Sequence, residues 1–318
     1  MISTFAKEAI LLLLASIGLA LIGGYFFIPV LQRIKLGQYV RDDGPQSHLK
    51  KAGTPTMGGV IFLLPFLVLG VLFAAGNPLI WLTAACALIG FADDFIKVVL
   101  KRSLGLRAYQ KLIAQGLVIL AYILYQHFMG HLSTQIILPF LGNHWDMGIL
   151  WYPFVVFVVF GTTNGANLTD GLDGLSASVT TIMMVLLAAI AFLQGNLQIG
   201  LLALVLLGGL IGFLWFNTYP AKVFMGDTGS LALGGFVAFA ALQLRIPLFI
   251  LLFAVIYLIE SLSVMLQVAY FKKTGKRIFK MTPIHHHFEL SGYKESKIVT
   301  FFVVVTIIGS LLSLIAFL

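Results

Sequence analysis

Apolar residues recur along this chain in long runs broken by short polar connections. Ten such runs lie near 9–31, 57–75, 79–99, 110–129, 150–166, 175–193, 198–216, 231–244, 247–270 and 298–317. A membrane-crossing helix needs about 20 mostly apolar residues, and in lipid a helix satisfies its backbone polar groups within its own segment. The pattern therefore predicts an all-α, polytopic membrane helix bundle of about ten transmembrane helices, forming one integral-membrane domain over residues 1–318. The run at 231–244 is short, and the long run at 247–270 is interrupted by Glu260, which predicts a bent or broken helix there. Residues 130–149, with Gly130, Pro139, Gly142, Asn143 and Asp146, make one sizeable connection that carries no Lys or Arg.

Composition points the same way. Hydrophobic residues make up 60% of the 318 positions and charged residues 10%, and the mean hydropathy is +1.02, which excludes an ordinary water-soluble domain. The single cysteine, Cys86, lies in an apolar run, so neither an internal disulfide nor a thiolate metal cluster can form. Lys7 and Glu8 precede an apolar stretch to Val30 with no small-residue cleavage site, which reads as a first membrane helix and not a removed signal.

The charges fix an expected orientation, because cytoplasmic loops retain Lys and Arg. With ten spans, 18 of the 20 basic residues fall on one face, and only Lys7 and Arg245 lie opposite. That face is expected to be cytoplasmic, with both termini outside. The acids gather there too: Asp42, Asp43, Asp93, Asp94, Asp170, Asp173, Asp227, Glu260, Glu289 and Glu295. Positive-inside bias makes no demand on carboxylates, so these need a second explanation.

Asp93 and Asp94 end the third run in GFADDFIKV, where unpaired charge near lipid is expensive and usually functional. Asp170 and Asp173 in NLTDGLDGL share a broad face with Asn167 if that segment is helical. Asp227 sits at a Gly-rich turn in FMGDTGSLALGG. Aspartates from separate segments, with Asn and hydroxyls nearby, suit Mg²⁺, which takes carboxylate oxygens plus waters and substrate phosphates. Each alone could cap a helix; three clusters at one membrane face favour chemistry. Glycines such as Gly226 let backbone approach a phosphate, and Lys50, Lys51, Thr54 and Thr56 in KKAGTPTMGG suit a diphosphate or serve as a membrane anchor. In PIHHHFE, adjacent imidazoles in a short run cannot all face one ion, so His285, His286 and His287 read as substrate contacts or loop pins more readily than as a zinc site.

The ordered set GFADDFIKV, NLTDGLDGL, FMGDTGSLALGG, KAGTPTMGG and PIHHHFE resembles the phospho-N-acetylmuramoyl-pentapeptide transferase family along the whole chain. The aspartate motifs alone would also fit the wider polyprenyl-phosphate N-acetylhexosamine-1-phosphate transferases, including members that use UDP-N-acetylglucosamine; the His loop favours the muramoyl branch. The resemblance implies Mg²⁺-dependent transfer of phospho-MurNAc-pentapeptide from its UDP donor to undecaprenyl phosphate, giving lipid I and UMP. It implies catalytic roles for Asp93, Asp94, Asp227 and His285, with Asp227 the direct metal ligand and Asp93 and Asp94 at the metal and lipid-phosphate end. It implies that Asn167, Asp170 and Asp173 line the nucleotide-sugar site, that Phe224 stacks on uracil beside Gly226, and that Lys51, Lys97 and His285 contact phosphates, with Thr56, His286 and His287 also against substrate. No nucleic-acid partner is expected, and Gly-rich helix surfaces leave a homodimer open. An ion-coupled transporter would place charge near the bilayer midplane, where only Glu260 sits. A purely structural subunit would leave the phosphate-type motifs unexplained.

Overall fold

The computed structural model describes residues 2–33, 53–100 and 105–318. Each of the ten expected runs is helical: α1 (Ile2–Arg33), α2 (Val60–Ala74), α3 (Pro78–Val99), α4 (Ala108–Phe128), α5 (Trp151–Thr169), α6 (Leu175–Leu193), α7 (Leu197–Asn217), α8 (Gly226–Gln243), the pair α9 (Ile250–Phe253) and α10 (Val255–Thr274), and α12 (Glu295–Phe317). The short α11 (Ile284–Glu289) carries the three histidines. Eight of these helices are long and apolar enough to cross a membrane; α2 is a shorter apolar helix of 15 residues, and α8, with 18, opens on the polar GDTGS. The exterior is apolar, with Leu11 and Phe26 of α1, Phe73 of α2, Leu117 of α4 and Met265 of α10 all exposed, as lipid requires and water would not tolerate.

Local chemistry sets the helix ends. Asn77 caps α3 by accepting from the Leu79 N–H at 3.0 Å, with Pro78 at the first helical position. Asn196 caps α7 in the same way through the Ile199 N–H. At the other end of α10, Gly275 takes φ +68° and its N–H closes on the Phe271 carbonyl.

The broken helix expected in the 247–270 run is present. The break in the long run falls at Ala254, between α9 and α10, and not at Glu260, which lies inside α10 with ordinary helix on both sides. A buried carboxylate in lipid needs a partner, and Glu260 obtains one through its side chain without disturbing its own backbone. The 130–149 connection also has structure. Gln135–Ile137 pairs antiparallel with His144–Asp146 as β1 and β2, with Ile136 opposite Trp145. Ile137 donates to the Arg245 carbonyl just beyond α8 and Phe140 to that of Ala316 near the end of α12, so the hairpin caps one end of the bundle.

The core is organised around α8, in which every residue from Thr228 to Leu242 is buried. Helices α3 and α5 flank it closely, and glycines permit this. A Cβ on Gly234 of α8 would stand 2.6 Å from the Thr163 Cα of α5. On α3, a Cβ on Gly90 would stand 1.9 Å from the Asp227 carbonyl oxygen and 2.6 Å from the Thr228 nitrogen. Both obstacles are backbone, so the helices would have to separate. The Gly90 contact brings the carboxyl end of α3 against the amino end of α8, at the end of the bundle opposite the hairpin. Gly90→Ala should therefore lower the thermal unfolding midpoint in detergent by several degrees, an overpacking cost of about 1–3 kcal/mol or more. Gly116→Ala on α4, where a Cβ meets nothing within 4 Å, should leave the midpoint unchanged; equal midpoints for the two variants would contradict this packing.

Candidate active site

Where α3 ends, two successive residues meet α8 differently. Asp94 closes the amino end of α8: its Oδ2 accepts from the Thr228 N–H at 2.9 Å and the Thr228 hydroxyl at 2.8 Å, and its Oδ1 from the Asp227 N–H at 3.2 Å. Those amides have no acceptor within the helix, and the positive end of the helix dipole favours an anion there. The chain enters α8 through Gly226 at φ +70°, a conformation that favours glycine. A Cβ at Gly226 would lie 2.5 Å from Asp94 Oδ2 and 2.7 Å from Thr56 Oγ1, so the glycine lets three segments converge.

One carboxylate oxygen from each of Asp93, Asp94 and Asp227 lies within 4.8 Å of the others. Lys97, one turn beyond Asp93 on α3, places Nζ 2.5 Å from Asp93 Oδ2, 3.1 Å from Asp227 Oδ2 and 3.9 Å from Asp94 Oδ1. Lys111, in the first turn of α4, lies 3.2 Å from Asp93 Oδ1 and donates to Asp227 Oδ2. The Leu106 N–H, in the segment leading into α4, adds a 2.7 Å bond to Asp93 Oδ1. From α5, the Asn167 amide donates to Asp227 Oδ1 at 2.9 Å and to Ser230 Oγ at 2.8 Å. Three carboxylates against two ammoniums leave one formal negative charge among the described residues of a mostly buried site. Oxygen donors this close suit a hard divalent cation, and the ammoniums suit phosphate oxygens.

The remaining expected residues divide. Helix α5 ends at Thr169, so Asn167, Asp170 and Asp173 do not share the helical face expected of them. Asn167 reaches the aspartate cluster. Asp170, the residue that ends α5, has its carboxyl held well above the usual carboxylate range, by burial first and then by the negative charges of Asp227, Asp94 and Asp173. A cation beside it would reverse that shift. Asp173 turns elsewhere: its Oδ2 accepts from the Ala221 N–H at 2.9 Å, and its own N–H donates to Glu295 of α12 at 2.6 Å. These bonds fix the loop between α5 and α6 to the segment before α8 and to the start of α12.

Thr56 is buried beside Gly226. The half-buried Phe224 is held through its backbone, its N–H donating to the Pro55 carbonyl and its carbonyl accepting from the Gly58 N–H, both at 2.8 Å. The TPTMGG and FMGD motifs thus form one paired segment. Lys51 and its neighbour Lys50 lie outside the described residues. The three histidines have three different environments. His285 Nδ1 is 3.0 Å from Glu260 Oε1, and His286 Nδ1 is 2.8 Å from Glu289 Oε2. His287 Nδ1 accepts from the Lys280 N–H, with its ring edge-on to Phe279. His285 is packed against the α5–α6 loop: a Cβ on Gly171 would stand 2.1 Å from its Nε2.

Lys111, Thr228, Ser230 and Glu260 belong to this constellation without having been singled out as site residues in the sequence. Lys111 reads there as one more positive-inside lysine, and nothing in its spacing ties it to Asp93. Glu260 did carry a signal, a carboxylate inside an apolar run.

Residues 78–245 match glycosyl transferase family 4, and residues 51–63 match phospho-N-acetylmuramoyl-pentapeptide-transferase signature 1. The phospho-N-acetylmuramoyl-pentapeptide-transferase of Caldanaerobacter subterraneus subsp. tengcongensis is 50% identical over 311 residues, covering 96% of this chain and 98% of the relative. Those of Clostridium botulinum strain Alaska E43 and Acetivibrio thermocellus are 47% and 49% identical over 309 residues, covering 96% and 95% of this chain and 95% and 93% of the relatives. Identity at this level over nearly the full length of both partners, in a helical membrane bundle with an aspartate cluster at one end, means that the chain belongs to the phospho-N-acetylmuramoyl-pentapeptide-transferase family.

Proposed function

We propose that this protein transfers phospho-MurNAc-pentapeptide from its UDP donor to undecaprenyl phosphate, yielding lipid I and UMP, with Mg²⁺, at the cytoplasmic face of a bacterial inner membrane. The observation that carries the reading is the convergence of Asp93, Asp94 and Asp227 with Lys97, Lys111 and Asn167 at one end of the bundle, where a water-soluble nucleotide sugar and a membrane-bound phosphate can meet. Basic loops flank that end, which supports a cytoplasmic orientation with ten spans and both termini outside.

Asp227, Asp93 and Asp94 would hold the cation, which when bound supplies charge neutralisation and orientation of the phosphate oxygens. Lys97 and Lys111 each span Asp93 and Asp227, and are within reach of the oxygens on which charge develops. Asn167 holds Asp227 in register with Ser230. In the transfer, an oxygen of the lipid phosphate bonds to the phosphorus that carries the sugar, the bond from that phosphorus to the UMP oxygen breaks, and UMP leaves with the electron pair. A proton on the attacking phosphate passes to a carboxylate. Asp94 has both oxygens committed to the amino end of α8, whereas Asp93 Oδ2, ion-paired with Lys97, accepts from no backbone or hydroxyl donor among the described residues, so Asp93 is the residue assigned to take that proton. The substrate contacts of Thr56, Asp170, Asp173, Phe224, Gly226, His285, His286 and His287, and of Lys51, form part of the same proposal.

The test is transfer of radiolabelled phospho-MurNAc-pentapeptide to undecaprenyl phosphate in detergent. Lipid product should form with Mg²⁺, vanish with EDTA, and fall at least about 100-fold in Asp227→Asn. Product formed equally well in EDTA would remove the metal from the proposal, and transfer of N-acetylglucosamine phosphate alone would change the donor while keeping the site. Lys111→Met should lower kcat by roughly 100-fold, the typical loss of one preorganised donor, with the unfolding midpoint retained. A variant with wild-type turnover would show that Lys111 only balances charge.

A further inference from the structure

Glu260 is fully buried in α10, within a helix apolar enough to cross a membrane, where an ionisable group is costly unless it is paired and has a task. Its partner is His285 of α11, also buried, through Nδ1 at 3.0 Å. The pair lies outside the aspartate cluster, yet it joins two motifs that chemistry has to bring together, the histidine run and the loop after α5.

Three features give the pair a direction. A carboxylate can only accept, so Nδ1 is the nitrogen that carries hydrogen toward Glu260, and the tautomer of His285 is fixed by it. The opposite nitrogen, Nε2, is buried and has no hydrogen-bond partner among the described residues. That nitrogen faces Gly171, directly after Asp170, so closely that a Cβ there would stand 2.1 Å from it. A buried ring nitrogen without a partner is uncommon and points to a group supplied from outside the chain. Gly171 adjoins Asp170, whose carboxyl is itself shifted by Asp227 and Asp94, so Nε2 is turned to the edge of the proposed transfer site.

We infer that Glu260 is a positioning residue for the transfer reaction: it holds His285 with Nδ1 toward α10, so that Nε2 is presented at the Asp170–Gly171 loop to the donor diphosphate. The arrangement is that of a carboxylate orienting an imidazole whose far nitrogen does the work. The loop between α10 and α11 is tied down independently, because the Gln267 side chain accepts from the N–H groups of Ile278 and Phe279, both at 3.0 Å, and donates to the Phe279 carbonyl. Removing Glu260 therefore frees the ring without releasing the whole segment.

This inference rests on the transferase reading. The experiment is a double-mutant cycle on the full chain in detergent, measuring kcat, the donor KM and the unfolding midpoint for wild type, Glu260→Ala, Glu260→Gln, His285→Ala and Glu260→Ala/His285→Ala. Glu260→Ala should lose about 10–100-fold in kcat, the usual effect of removing an orienting partner, with the donor KM changed less than about threefold. Glu260→Gln, which keeps an acceptor for Nδ1, should recover part of the loss, and the double variant should be no slower than His285→Ala alone. Wild-type kcat in both Glu260 variants, or losses that multiply in the double variant, would overturn the inference. Should Glu260→Ala fail to fold, Glu260→Gln decides: kcat reduced severalfold at an unchanged midpoint supports positioning, and unchanged kcat overturns it. An inactive wild type would instead count against the transferase reading itself.

Discussion

The bond between the Asp94 carboxylate and the amino end of α8 is the interaction on which the rest of the site depends. It joins the last turns of α3 to the one helix that is buried along nearly its whole length, and it does so with a charge that the free amides of α8 stabilise. Because the Asp227 N–H takes part, the same contact fixes where Asp227 stands, and the preceding Asp93 falls beside it. The close packing of Gly90 on Asp227 allows the two helix ends to approach far enough for this to form. Packing by small residues and electrostatic capping are here one construction.

That construction concentrates like charge. Three carboxylates within 4.8 Å in a largely buried site would repel one another strongly, and the protein offsets this with Lys97, Lys111 and the Asn167 amide. The offset is incomplete among the described residues, and the Asp170 carboxyl at the border is raised by burial first and then by the same negative charges. A site made this way would bind a cation and phosphates together more readily than either alone, since each relieves the charge the other brings.

The helical bundle was legible in the sequence because lipid imposes a coarse rule: the ten apolar runs had to be helical, and each is, one of them as a broken pair. The aspartate cluster was legible because carboxylates beside apolar runs have no cheap structural explanation. The rest depended on contacts that the rule does not encode. Nothing local says that α5 stops at Thr169, and so the shared face of Asn167, Asp170 and Asp173 does not exist. Glu260 was visible as an anomaly in a run expected to bend or break, and the run does break, at Ala254; what the sequence did not show is that Glu260 pairs with His285, 25 residues away. Lys111 was indistinguishable from a topology signal, because a lysine that balances aspartates in space and one that anchors a loop have the same sequence context. The hairpin in 130–149 is two three-residue strands, too short for alternation to declare.

The central claim is that the ends of α3 and α8 together build one divalent-cation site. It is tested most directly by titrating Mn²⁺ into the metal-free protein in detergent and following the free ion by electron paramagnetic resonance, with Mg²⁺ as competitor. The account predicts one bound ion per chain, displaced by Mg²⁺ and lost in Asp227→Asn. Binding that survives in that variant, or no binding to the wild type, would contradict it.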